Sequence, residues 1–467
     1  MRENYKENNE SVLKTLIERF DNMLDVNDRY FFDIEEFEEI IEHYIQAFDL
    51  VKAKKAIDYS LEQYPDNSSL LLKKAHFYIL NHNIDKADEI IYFIQKTEPY
   101  NIDALLLKAE VFSQEKKYKL AIDIYKQILE INPDDDDVYI KLAFEYENIQ
   151  DYKNAIKYLI KAIEIDSENT FVLFEISFCF DLINQPKKSL EFFKDFIDEH
   201  PFSEAAWFNL GNVYYNMQKY KEAVEAFDYV LAIDESYLSA YYNKADALMS
   251  LGKYDDAIEV YKESFNYEHP DALIYCCIGE CYEKNLEYKT AIYYYNKSIE
   301  KDESFSDAWL RKGIINSELE NYDVAIKYLM KAIKLDPNSL EYKYSLADIY
   351  VKINDFAKAV NLYSKIAEAD PYDIDIWLDY SDVFAKENNY KKAFDIILKG
   401  INFQPDNPAL LFRVAAYLLK LKNNKLAYRY LELALILDKN NINQLFDYLP
   451  ESKSDRNILK MIDSFKD

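Results

Sequence analysis

The chain reads as all-α, a stack of antiparallel helix pairs built from one repeated unit, and three observations carry that expectation. A small residue recurs every 34 residues from Ala53 to Ala427, twelve times without insertion or deletion, and its bulkiest occupant is Ser189. Only five glycines occur in 467 residues, against roughly 7% in ordinary proteins. Apolar residues recur at spacings of three and four rather than two, the period of one helix face.

Residues 1–8 (MRENYKEN) are polar and expected to fray. Residues 11–24 place Val12, Leu13, Leu16, Ile17, Phe20 and Leu24 on one face, which predicts an amphipathic helix covering the first repeat, so residues 1–33 form an N-terminal flank. Residues 34–441 then divide into twelve units of 34, from 34–67 through 408–441. Twelve residues before each recurring small residue lies a second small position, from Ala75 to Ala415, broken only by Ile41 in the first unit. Two small residues on facing helices let their backbones approach closely. An aromatic commonly stands three residues before the recurring alanine, as at Tyr118, Tyr220 and Tyr322, and units tend to close on a proline such as Pro65, Pro133 or Pro337. Residues 442–467 are expected to supply two capping helices, 442–449 and 452–465, the second burying Ile458, Leu459, Ile462 and Phe465. Open repeat arrays need such caps, because a bare terminal unit exposes half a core. No linker interrupts the array, and stacked units are expected to share one continuous core.

The segment AWFNLGNVYYNMQKYKEAVEAFDYVLAIDES carries Trp207, Leu210, Gly211, Tyr214, Tyr220, Ala223 and Phe227 at spacings that resemble the tetratricopeptide repeat, a 34-residue pair of antiparallel helices. The resemblance covers residues 34–441, with departures at Pro186 and Asn424, where the aromatic is missing. It implies a right-handed superhelical solenoid and a non-catalytic role in binding proteins. It also implies that the second, fifth, ninth, twelfth and thirteenth positions of each first helix line a concave groove.

Charge and motifs exclude other classes. With 85 acidic against 56 basic residues, a net charge of −29, the chain is expected to repel nucleic acid and anionic membrane surfaces. Signal-peptide and membrane-spanning patterns are absent from the sequence, which suggests a soluble cytoplasmic protein. There is no glycine-rich phosphate loop, GxSxG or HExxH, and the five histidines are scattered over different units. No enzyme activity, cofactor or metal is expected. Cys276, Cys277 and Cys281 share one helix but lack a fourth ligand, and small packing residues are the simpler reading. The acidic run at residues 134–137 opens a helix, where carboxylates meet unpaired amides, and does not follow a calcium-loop pattern.

The remaining candidate site is the groove. Its fifth positions form an apolar stripe: Leu72, Leu106, Ile140, Phe174, Phe208, Tyr242, Cys276, Leu310, Tyr344, Leu378 and Phe412, broken by Glu38. Around the middle, Phe144, Phe171, Phe174, Phe178, Phe208, Tyr215 and Tyr242 are expected to converge into an aromatic patch, since aromatic residues dominate interface hot spots. The 60 inward positions hold 17 acids and 4 bases, the acids including Asp181, Asp246 and Glu280. A protein or peptide segment carrying basic and apolar residues would suit that surface. A clamp for an acidic peptide does not fit, because Asn212 is the one asparagine at a ninth position and the basic residues all stand at the thirteenth. The alternative is a self-associating structural or assembly subunit, for example of a secretion or envelope complex, with the groove unoccupied. In a further alternative, a regulatory subunit of such a complex binds through the convex face. The partner-binding set is therefore Phe144, Phe171, Phe174, Phe178, Phe208, Asn212, Tyr215, Tyr242, Asp181, Asp246 and Glu280.

Overall fold

In the computed structural model the described residues are 2–26 and 28–464, with side chains described from Val12 onward. Among them every regular element is helical, 27 α-helices and three short 3-10 turns. The expected burial of Phe465 lies outside the described residues. The chain divides into two compact units, one reaching to Ala240 and the other beginning at Tyr241.

The first unit opens with helix Arg2–Val26. Residues 2–8, expected to fray, continue that helix, because they contain neither proline nor glycine and include strong helix formers such as Arg2, Glu3 and Lys6. Its buried face is narrower than expected: Leu16, Phe20 and Met23 are covered, Leu13, Ile17 and Leu24 are half-buried, and Val12 is exposed. Phe20 meets Phe32 edge-on at 5.7 Å, and Arg19 reaches Glu36 at 2.9 Å. These contacts close the open end of the first repeat.

Six helix pairs follow in this unit. Their first helices are Ile34–Gln46, Ser68–Leu80, Ile102–Gln114, Asp136–Asn148, Thr170–Leu182 and Glu204–Asn216. Their second helices are Leu50–Gln63, Ile84–Thr97, Tyr118–Ile131, Tyr152–Ile165, Pro186–Glu199 and Tyr220–Ile233. Each first helix is opened by a polar side chain that accepts a free amide of the first turn: Asp33, Asn67, Asn101, Asp135, Asn169 and Ser203. Asp135 accepts from the Val138 amide at 3.1 Å, with Asp136 and Asp137 in the first turn, so the acidic run caps a helix.

Between the two helices of a pair the chain reverses through one residue at positive φ, between 50° and 74°, at every turn from Phe48 to Lys422. The turn is closed by two amide bonds, for instance Gln150 N–H to the Glu147 carbonyl and Asp151 N–H to the Tyr146 carbonyl, both 2.8 Å. This is the Schellman closure, which favours glycine. Only Gly252 supplies one.

The pairs are locked by the small positions. Ala53, Ala87, Ala121, Ala155, Ser189 and Ala223 are wholly buried. Gly211 lies under Phe227 so closely that an added Cβ would stand 2.5 Å from the ring. That crowding is why the two positions admit so little bulk.

The seventh pair, Leu238–Ser250 and Tyr254–Glu263, ends in a 3-10 turn over Ser264–Asn266. In the second unit the later pairs keep the same spacing to Pro408–Lys420 and Asn424–Leu437. Short helices Asn443–Tyr448 and Arg456–Asp463 then cover the last pair, burying Leu445, Leu449 and Ile458 against Leu431 and Leu435. The second of these starts later than expected because Asp455 caps it, accepting from the Asn457 and Ile458 amides. In that register Leu459 is exposed and Ile462 half-buried, a correction to the face expected for it.

Candidate functional site

The most exposed aromatic surface of the predicted set lies along one helix, Thr170–Leu182. Phe171, Phe174, Phe178 and Leu182 are 48%, 37%, 53% and 47% exposed. Their spacing of three, four and four places them on one face, while Val172, Leu173, Ile176 and Phe180 point into the core. Phe144, half-buried on helix Asp136–Asn148, meets Phe171 edge-on at 6.0 Å and widens the surface toward the preceding repeat.

The predicted stripe across repeats is not continuous. Phe208 is 8% exposed: its ring is held by Phe174 at 6.0 Å, Phe227 at 5.8 Å and Tyr237 at 5.2 Å. It is a core residue, in place of the open anchor expected of it. Ile140, Leu72, Cys276, Leu310 and Phe412 are buried as well. The fifth position lies where consecutive first helices touch, so its exposure depends on the size of its neighbours, which residue type alone does not show. Tyr215 is half-buried, edge-on to Tyr220 at 5.4 Å, and Asn212 is half-buried on the same helix. Tyr242, Asp246 and Glu280 belong to the second unit, where Tyr242 is half-buried.

The acidic enrichment divides into two kinds. At three ninth positions the carboxylate is neutralised from the sixth position of the following repeat, 31 residues on: Glu42 by Lys73 at 2.6 Å, Glu280 by Arg311 at 3.2 Å, and Asp382 by Arg413. Others are held from the second helix of their own pair. The Tyr261 hydroxyl donates to Asp246 and the Tyr295 hydroxyl to Glu283, each at 2.5 Å. Partial desolvation holds both carboxyls above the usual range, against the tyrosine bonds that favour ionisation. Glu280, expected to offer free charge, is therefore paired within the second unit. Reading the sixth position as well as the five inward ones would have found these pairs.

Beside the phenylalanines the pattern inverts. The sixth position of this repeat is Glu175 in place of a base, and the ninth position before it is Phe144 in place of an acid. Glu147, Glu175 and Asp181 have no lysine or arginine partner among the ion pairs of the described residues. Partial desolvation lifts all three carboxyls above their ordinary range, with Glu147 and Glu175 half-buried and Asp181 exposed at the surface. For Glu147 the nearby charge of Glu175 adds to that, and the Cys179 thiol, donating to Glu147 Oε1 at 3.4 Å, opposes it. A cation beside Glu147 and Glu175 would relieve two desolvated charges at once.

Two further hollows on the first-helix face lie in repeats 1–3. One, of 510 Å³, is lined by Val12, Glu38, Glu42 and Lys73, and the other, of 360 Å³, by Leu72, His76, Asp103 and Leu106. Cys276 and Cys281 are buried and Cys277 half-buried, and burial pushes the thiols of Cys277 and Cys281 up to about 12, so none is a ready thiolate. Among the described residues no group of three or more His, Cys, Asp or Glu is placed to hold a metal ion. Among them also, no helix is long and apolar enough to cross a membrane.

Comparison with known proteins gives the following. One family model described as tetratricopeptide repeat matches residues 102–135, 136–169 and 306–339, and a second with the same description matches 184–237, 208–272, 242–304 and 344–408. Together they cover more than half of the chain. No curated protein matches. Among solved structures, MamA is 25% identical over 36% of this chain and 92% of its own, with a TM-score of 0.32. Yeast Tom70 is 16% identical over 79% of this chain and 92% of its own, with a TM-score of 0.41. The C-terminal part of a TPR repeat-containing protein from Cytophaga hutchinsonii is 18% identical over 54% of this chain and 98% of its own, at 0.42.

Proposed function

This chain belongs to the tetratricopeptide repeat family, and we propose that it is a non-catalytic scaffold that docks a basic, apolar segment of a partner protein on the first-helix face of repeats 4 and 5. One observation carries the reading: three exposed phenylalanines on helix Thr170–Leu182 stand among three carboxylates that lack basic partners. Exposed apolar surface is costly to leave in water at roughly 25 cal/mol per Å², and surface of this kind marks interaction sites. The carboxylates would steer a cationic partner and the rings would hold it. At other points on that face a carboxylate is answered by a base, as Glu42 is by Lys73 and Glu280 by Arg311, whereas here exposed rings and unmatched acids occur together.

The test is affinity capture from native extract, comparing the wild-type chain with a Phe171→Ser/Phe178→Ser variant. Both residues are exposed, so the variant keeps its fold, checked by far-UV circular dichroism. We expect a set of basic partners lost in the variant. An identical set captured by both chains would move the working surface elsewhere. Phe208→Ala is unsuitable for this purpose, because its effect on folding would mask any effect on binding.

A further inference from the structure

We infer that the segment docked on helix Thr170–Leu182 is itself an amphipathic α-helix lying along that helix, with lysine or arginine on both flanks of its apolar face. This rests on the docking reading above and specifies the conformation and charge pattern of the occupant. The direction of the exposed stripe decides between a helix and an extended strand. An extended segment crossing the repeats at the fifth positions would meet Ile140, Phe174 and Phe208, of which only Phe174 is exposed. At the second positions it would meet Asp137, Phe171 and Ala205, again with one exposed ring between a carboxylate and a buried methyl, and at the ninth positions half-buried Phe144, exposed Phe178 and the polar Asn212, two rings at most. Along the helix axis, by contrast, Phe171, Phe174, Phe178 and Leu182 follow one another without a break. At 1.5 Å per residue they make an apolar ridge about 16 Å long. A second helix placed at about 8–10 Å would set its own apolar side chains between those of the ridge.

The carboxylates fix the charge pattern. At 3.6 residues per turn, Glu175 lies about 55° to one side of the centre of the ridge and Asp181 about 65° to the other. Glu147, which accepts from the Cys179 thiol, reinforces the Glu175 flank from the neighbouring helix. A partner helix with bases on one side only would leave one of these flanks unmatched.

The test uses the full chain and two synthetic peptides of about 18 residues, long enough for a helix to form on binding. Both contain leucine and lysine in equal composition. One has leucines at helical spacing and lysines on both flanks, and the other alternates leucine with lysine, so it presents no apolar helical face. Binding is read by fluorescence anisotropy and peptide conformation by circular dichroism, against the wild type, Phe174→Ser/Phe178→Ser, and Glu175→Lys/Asp181→Lys. The expected result is that the helical-pattern peptide gains helix on binding. Its affinity should fall about tenfold or more in each variant, the loss of one hot-spot contact or more, with the alternating peptide at least as much weaker on the wild type. Equal binding of both peptides, lost in the variants, would overturn the helix while leaving the docking surface standing. Binding that neither variant alters would overturn the docking surface and the helix together. The charge-reversal variant keeps the experiment decisive should the serine variant misfold.

Discussion

Leu286 occupies a backbone conformation that L-residues adopt reluctantly, at φ 61°, with its side chain exposed. The left-handed region costs a non-glycine residue roughly 1–2 kcal/mol, and glycine gives back about 0.5–1 of that in unfolded-state entropy. Leu286→Gly should therefore raise stability by roughly 0.5–1 kcal/mol, read as a higher urea midpoint. Asn354→Gly should gain less, because asparagine tolerates this region. A lower midpoint for Leu286→Gly would mean that its side chain contributes more than its exposure suggests. The position was illegible in the sequence, which places Phe48, His82, Lys116, Gln150 and Leu286 there in turn: the constraint acts on the backbone and selects no side-chain type. The alanine register was legible for the opposite reason, since Ala121 or Ala155 meets a facing helix that leaves no room for a larger residue. Phe208 shows the same distinction. Phe208→Ala should cost about 3–5 kcal/mol, whereas Phe178→Ala on the exposed ridge should stay within about 0.5 kcal/mol. Equal midpoints for the two variants would contradict the burial assigned to Phe208.

At the scale of the element, helix Thr170–Leu182 carries two opposite faces, and the sequence reveals one better than the other. Its composition is apolar nearly all round, with Phe or Leu at both buried and exposed positions, so periodicity cannot separate core from surface. Only the contacts with neighbouring helices separate them. The carboxylates beside it give a pH signature. Burial raises the folded-state pKa of Glu147 and Glu175 above the ordinary 4.5, so near neutral pH both are ionised at a cost that protonation would remove. The folded state takes up protons before the unfolded chain does, and these two groups destabilise the fold most above their raised values. Glu147→Gln and Glu175→Gln should therefore melt higher than wild type at neutral pH. The advantage should shrink as pH falls through the raised values and disappear below the ordinary one. A constant difference across that range would assign the gain to packing instead of ionisation. Binding of a cationic helix should weaken over the same descent.

For the whole molecule, a net charge of −29 is a long-range field more than a local contact. Charges at the surface are screened over about 8–10 Å at ordinary ionic strength. The association rate of a lysine-bearing partner helix should therefore fall as salt is added, while its dissociation, governed by the phenylalanine ridge, should change less. Stopped-flow rates at low and physiological salt check this, and a salt-independent association rate would leave the acids without a steering role. The same field cannot be read as a uniform acidic surface, because Glu42, Glu280 and Asp382 are matched by Lys73, Arg311 and Arg413. Those matches bear on how such an array can be rearranged. An unbroken 34-residue period suggests that any copy could be deleted, duplicated or recombined with another and the stack would close again. Yet each of these ions is answered from the next copy in line. Removing residues 306–339, for example, would preserve the period and bring Ser345 opposite Glu280 in place of Arg311. The copies share one shape but not one identity, and their order along the chain is written in the pairs that join them.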